Sequence, residues 1–201
     1  MQVISVNVGA IRELEWRGRT VRTGIWKHSV DGPVALRGVN FAGDDQADRT
    51  VHGGADKAVY AYAIEDYDYW AKHEAFDVGP GVFGENLTVK GLDLTGALVG
   101  DRWRVGTALL EVAQPRLPCY KLGIRVGDPR FIARFQSAIR PGAYLRIIEA
   151  GVIQAGDRIH LAERPAHAVT MGLMVEAVSD EAKARAIQAA PQLPANWREL
   201  E

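Results

Sequence analysis

The chain has a single cysteine in 201 residues and almost no net charge, with 24 Lys and Arg set against 25 Asp and Glu for a balance of −1. One cysteine excludes an intramolecular disulfide, which is compatible with a reducing compartment. Balanced charge excludes a global basic field for nucleic acid, so any anion site has to be local. No apolar run approaches the length of a membrane span. The segment Met1 to Gly9 has neither a basic region nor a long apolar core, so it does not read as a signal peptide. These absences predict a soluble, cytoplasmic protein that engages neither nucleic acid nor membrane. A Walker-type loop and a Gly-x-Gly-x-x-Gly turn are also missing, so a nucleotide-binding fold has no support.

What is present is ordinary globular composition, 47% hydrophobic and 24% charged, with an excess of glycine at 21 residues. That excess suits a turn-rich, strand-rich fold. Short strands are expected at residues 3–8, 21–25, 34–36, 58–62, 87–89 and 143–149, and at 158–161. Residues 102–105 and 108–112 should form a hairpin through Gly106-Thr107. Two segments, Leu98-Val99-Gly100-Asp101-Arg102 and Gln154-Ala155-Gly156-Asp157-Arg158, place Gly-Asp before a strand and predict two equivalent turns. Two helices are expected among the strands. Residues 64–75 carry apolar side chains at helical spacing, and residues 129–139 follow Asp128-Pro129, a cap with proline at the first helical position. After residue 163 the pattern turns helical, over 170–178, 180–190 with Ser179 as cap, and 195–201. The domain reading is therefore 1–162 for the strand-rich body and 163–201 for a helical appendage. Three short helices cannot bury the apolar face of 170–178 among themselves, so they should pack on the body or on a second subunit.

Chemistry concentrates in three places. Cys119 lies in Gln114-Pro115-Arg116-Leu117-Pro118-Cys119-Tyr120-Lys121, where two prolines fix the backbone and Arg116 and Lys121 favour thiolate. A lone cysteine is more often a small buried hydrophobe, but this stiff, cationic frame argues for a reactive thiol. The second place is Gly43 to Tyr60, where Gly53-Gly54 can form a backbone nest for an anion and Arg49 and His52 add donors; the bland alternative is a glycine turn with surface charges. The third is Gly81 to Val89, where Asn86 can donate and accept at the mouth of a strand. Glu85 beside it reads as a solvated carboxylate rather than a base. The histidines offer no compact zinc spacing with Cys119. A Cys119–His52 nucleophilic pair is possible only if the two meet in space.

Taken together, these segments resemble the MOSC family, the domain named for molybdenum cofactor sulfurase C-termini, in its stand-alone YiiM-type branch. The matching residues are Gly43-Asp44 with Gln46-Ala47-Asp48 and His52-Gly53-Gly54; Asp56 to Tyr60; Phe83 to Thr88; and Gln114-Pro115-Arg116 with Pro118 to Leu122. The resemblance covers about residues 3 to 162. It implies a mainly β fold with α, a MOSC-type β-barrel with inserted helices and a small C-terminal three-helix appendage. It also implies a molybdenum–pterin cofactor, with Cys119 as metal ligand or sulfur carrier. Lys27, Arg49, His52, Gly53, Gly54, Asn86, Gln114 and Arg116 would then be the cofactor-binding residues. The expected activity is reduction of N-hydroxylated or N-oxide compounds. Electrons would come from a separate donor protein, because no flavin, haem or nicotinamide fingerprint is present. A cofactor carrier or a sulfur-transfer protein working through a Cys119 persulfide is the alternative, and a Cys119–His52 hydrolase a third. A homodimer is expected on general grounds.

Overall fold

The computed structural model describes residues 1–199. Strand β1 (Gln2–Val8) is followed by a two-stranded ribbon, β2 (Arg12–Trp16) and β3 (Arg19–Thr23), and by β4 (His28–Val30), β5 (Val34–Arg37) and β6 (Asn40–Phe41). A short helix α1 (Arg49–His52) and a 3-10 turn (Ala55–Lys57) lead into β7 (Val59–Ala63), α2 (Ile64–His73) and β8 (Leu87–Lys90). Then come β9 (Arg102–Val105), β10 (Ala108–Gln114), α3 (Tyr120–Val126), α4 (Phe131–Ser137) and β11 (Ala143–Glu149). The chain continues through β12 (Val152–Ile153), β13 (Ile159–Glu163), α5 (Met171–Ala177), α6 (Glu181–Ile187) and α7 (Ala195–Arg198).

The main sheet has eight strands in the order β13-β9-β10-β11-β7-β8-β1-β4. Every pairing in it is antiparallel except β7 with β8, which α2 connects as a crossover. The molecule is thus a mixed α/β fold built on one large sheet. The ladder does not close into the expected barrel, because β13 and β4 are its outer strands. Its two ends approach each other along β1. The last residues of β1, Val6 to Val8, pair with β4. The same strand's first residues meet the turn before β13, through an isolated Gln2–Arg158 bridge and bonds such as Val3 N–H to Asp157 O at 2.9 Å. β4 has only three residues, too few to cover the whole of that edge.

The hairpin forms as expected, with Val105 opposite Ala108. So do the two equivalent turns. Gly100 and Gly156 adopt φ of 87° and 93°, and Asp101 and Asp157 each accept from the backbone N–H three residues earlier, at 3.1 and 2.9 Å. Glycine is needed there because positive φ is costly with a Cβ. Two helices were not expected among the strands, α1 and α3. They run four and seven residues, too short to reveal a 3.6-residue period. Asp48 holds α1 by accepting from the N–H groups of Thr50 and Val51. In the tail, Asp180 rather than Ser179 caps α6, accepting from Lys183 N–H at 3.1 Å. The final expected segment, 195–201, extends past the described residues, within which α7 ends at Arg198.

β7 explains how the core is divided. All five of its residues are buried, and alternate side chains enter different clusters. Val59, Ala61 and Ala63 face a mainly aliphatic core with Leu110, Val112 and Leu145. Tyr60 and Tyr62 face an aromatic core with Tyr67, Trp70, Phe83, Phe131 and Phe135. The tail joins the aliphatic side: Met171, Met174, Ile187, Leu193 and Trp197 belong to that same cluster. Polar ties reinforce it. Arg164 makes two bonds to the buried Asp101 carboxylate, at 2.9 and 2.7 Å, and Arg146 reaches Gln192 O at 2.9 Å. Among the described residues no helix is long and apolar enough to cross a membrane.

Candidate functional site

The strand β10 ends at Gln114, and the Pro-framed loop that follows turns the chain into α3 with Cys119 at its cap position. Cys119 lines a cavity of about 80 Å³ together with Lys27, His52, Lys57, Tyr60, Asn86, Arg116, Lys121 and Tyr144. The ribbon supplies Thr23, and the loop before α1 supplies Asp45 and Gln46. Two glycines make the opposite wall possible. Gly81 and Gly84 have φ of 82° and 76°, and a Cβ would lie 2.6 Å from Lys27 O at the first and 2.8 Å from the Ile25 side chain at the second. Only bare backbone lets this loop lie against residues 25–27 and bring Lys27 to the cavity.

The electrostatics are cationic around one thiol. Arg116 is buried, donates to the Phe83 carbonyl, and sits 5.0 Å from the centre of the Tyr60 ring. No ion pair to a carboxylate is found for it among the described residues. Lys27 is also buried and pairs with Asp44. Burial pulls the Lys27 ammonium below its ordinary range, while the Asp44 charge and hydrogen bond oppose that pull. Burial likewise opposes ionisation of Cys119. The hydrogen bond from His52, the positive charge of Arg116 and the Lys121 backbone N–H overcome it, and the thiol is lowered to about 7. Beneath the cavity wall, Glu85 is fully buried. Its Oε1 accepts from Tyr67, Gly81 N–H and Thr88 at 2.8, 2.6 and 2.8 Å, while Oε2 has no partner among the described residues. Burial pushes this carboxyl above its usual range, against the hydrogen bonds from Gly81, Tyr67 and Thr88.

Four lining residues, His52, Lys57, Cys119 and Tyr144, are shared with a second cavity of about 310 Å³ that reaches the tail at Val178, Asn196 and Trp197. The thiol therefore stands between two spaces. Among the described residues there is no cluster of three or more His, Cys, Asp or Glu that could cage a metal ion by itself.

Residues 48–160 match the model of the MOSC domain. The chain belongs to the MOSC domain family. It is 38% identical over 162 residues to the uncharacterized protein YflK of Bacillus subtilis, covering 81% of this chain and 73% of that one. It is 34% identical over 169 residues to a protein of Gibberella moniliformis named a reductase, covering 81% of this chain but only 29% of the relative. The solved structure of YiiM from Geobacillus stearothermophilus superposes with a TM-score of 0.79 at 32% identity, covering 98% of this chain and 95% of that one. The YiiM-type membership of this MOSC chain follows from these likenesses.

In this MOSC chain, the residues singled out from the sequence separate into groups. Lys27, His52, Asn86, Arg116 and Cys119 converge on the smaller cavity. Asn86 lines it with its amide already engaged: Nδ2 donates to Asp44 at 2.8 Å and Oδ1 accepts from Tyr60 N–H at 3.1 Å. Gln114 lies on the second cavity, and it too is engaged, donating to Asp56 O and accepting from Trp197 Nε1. Arg49, Gly53 and Gly54 do not line either cavity. Arg49 is exposed and pairs with Asp45 at 2.9 Å, and the two glycines form the bend between α1 and the 3-10 turn. Glu85, read as solvated, is buried. Sequence reasoning passed over Lys57, Tyr60, Lys121 and Tyr144 as cavity residues. Lys57 and Tyr60 sit in a segment it had already marked, and Lys121 lies two residues from the cysteine; Tyr144 carries no local signal.

Proposed function

We propose that this chain binds a molybdenum–pterin cofactor against Cys119 and reduces N-hydroxylated or N-oxide compounds. MOSC domains are associated with that cofactor, and the Gibberella relative carries the name reductase. The observation that carries the reading is the thiol lowered to about 7 on the wall of a cavity with two buried cations. The donor set fits the group. Thiolate is a soft ligand suited to a metal of this kind, and Arg116, Lys27, Lys57 and Lys121 suit its anionic parts. Asp44, by pairing with Lys27, fixes the ammonium in place. Phe83 does the same for Arg116 through its carbonyl.

Bound there, the cofactor would supply the redox chemistry. The protein's part is to hold it through Cys119, to keep that thiol ionised through His52 and Arg116, and to orient the substrate. In the overall reaction the N–O bond breaks, two electrons and two protons enter, and water leaves. A separate electron-donor protein supplies the electrons. A cofactor carrier, or a sulfur-transfer protein forming a persulfide on Cys119, is the second reading. The same ionisable thiol, open to two cavities, favours it.

Metal analysis after expression in a host that makes molybdenum cofactor tests the core of the proposal. Wild type should carry molybdenum and Cys119→Ala little, with reduction of an N-hydroxylated compound by the loaded wild type alone. Equal molybdenum in both proteins would remove Cys119 from the metal's coordination. Molybdenum without reduction would move the assignment to the carrier.

A further inference from the structure

The second cavity is chemically unlike the first. Val51, Leu117 and Val178 line it, and their exposures of 51%, 43% and 41% place them among the most exposed large apolar side chains of the chain. Three such residues gathered on one space that ends at a reactive thiol are a feature of binding surfaces rather than of ordinary exterior. Its polar groups sit away from that apolar rim or are already engaged. Gln114 is saturated by Asp56 and Trp197, Asn196 contributes one amide from α7, and His52, Lys57 and Tyr144 stand at the end shared with the cationic cavity. Among the described residues no carboxylate lines it.

From this we infer that the second cavity holds the body of the substrate, and that the helical tail sets which bodies are accepted. The occupant is a small N-hydroxylated molecule with a compact, uncharged, apolar body, seated on Val51, Leu117 and Val178 with its N–O head directed to Cys119. The volume is of the size that takes a small ligand. The cations at the shared end disfavour positively charged bodies. The tail enters the site directly, since Val178 closes α5 and Asn196 and Trp197 belong to α7. The N-hydroxy head rests on the reductase reading; the cavity's selectivity for an apolar body does not.

The test uses the full chain without cofactor, benzohydroxamic acid as probe and acetohydroxamic acid as its small-bodied counterpart, with affinity measured by calorimetry. Benzohydroxamic acid should bind at least fivefold more tightly than acetohydroxamic acid. Val178→Glu, on the tail, and Val51→Glu, on α1, should each weaken the aromatic probe at least fivefold, and both residues are exposed enough for the variants to fold. Leu161→Glu, equally exposed on β13 but outside the cavity, should leave it unchanged. Equal affinity for the two probes, or unchanged binding in both cavity variants, overturns the inference. So does a fall in molar mass by light scattering in Val178→Glu, which would assign the apolar rim to contact between copies of the chain. If the probe binds as expected and the loaded protein does not reduce it, the reductase reading fails while the cavity assignment stands.

Discussion

Replacing His52 with alanine isolates the interaction that most favours the Cys119 thiolate. In the wild type, burial opposes the charge, and His52, Arg116 and the Lys121 N–H overcome it to leave the thiol near 7. A hydrogen bond to a charged group contributes about 1.5–3 kcal/mol, and one pKa unit corresponds to about 1.4 kcal/mol. Losing the bond should therefore raise the thiol by about 1–2 units, to about 8–9. Arg116 remains in the variant, which keeps the rise from going further. At neutral pH the thiolate fraction should fall from about half to about 1–10%. The ultraviolet absorbance of the thiolate, followed against pH, reads this directly, and there is no second cysteine to confuse it. Alkylation by iodoacetamide should recover in alkali and should slow at neutral pH, the slowing being smaller than the thiolate fraction alone implies because a more basic thiolate is the better nucleophile. His28→Ala, exposed on β4, serves as control. A His52→Ala protein whose thiol still titrates near 7 would refute the pairing and place the whole effect on Arg116.

Lys27→Met leaves Asp44 as a buried, unpaired carboxylate and should cost about 3–5 kcal/mol; an unchanged melting temperature would mean that the pair carries no such weight. Glu85 holds its proton in the fold at pH values where the unfolded chain has lost it. Its contribution is therefore complete below about pH 4.3 and is lost as pH rises toward the higher folded value. Urea midpoints of wild type should accordingly fall relative to Glu85→Gln as pH rises above that point, and parallel curves would contradict the raised carboxyl. Truncation after Leu161 strips Met171, Met174, Ile187 and Trp197 from the aliphatic core. The product should aggregate or melt many degrees lower, and a soluble product with an unaltered melt would deny the tail any packing role.

The parts of this fold that were readable from sequence are those whose cause is local. The paired turns at Leu98–Asp101 and Gln154–Asp157 were legible because glycine and aspartate act within four residues. The hairpin at Gly106 was legible for the same reason, and so was the position of α6, although its cap is Asp180 and not the expected Ser179. α1 was not, since a single turn has no period. In the site, the Cys119 loop announced itself through its prolines. Lys27 had no local motif. Its place depends on Gly81 and Gly84 admitting its backbone, on Asp44 coming from another loop, and on Asn86 bonding to that carboxylate from a third. Arg49 and Gly53-Gly54 had the right composition for an anion nest, but Asp45 captures the arginine and the two glycines line neither cavity. Glu85 was misread because sequence carries no measure of depth.

The alternation along β7 gives the molecule a spectroscopic left and right. Tyr60, Tyr62, Tyr67 and Trp70 stand on the side that carries Phe83, and Phe83 in turn holds Arg116. Trp103 and Trp197 stand on the other side, among aliphatic residues. The tyrosine part of the near-ultraviolet dichroism is therefore weighted toward the footing of the site, whereas far-ultraviolet dichroism follows the whole sheet. A loosening of the ground beneath Cys119 would register in the first signal while the second stayed level, so the intact chain carries its own reporter for the half that does the chemistry.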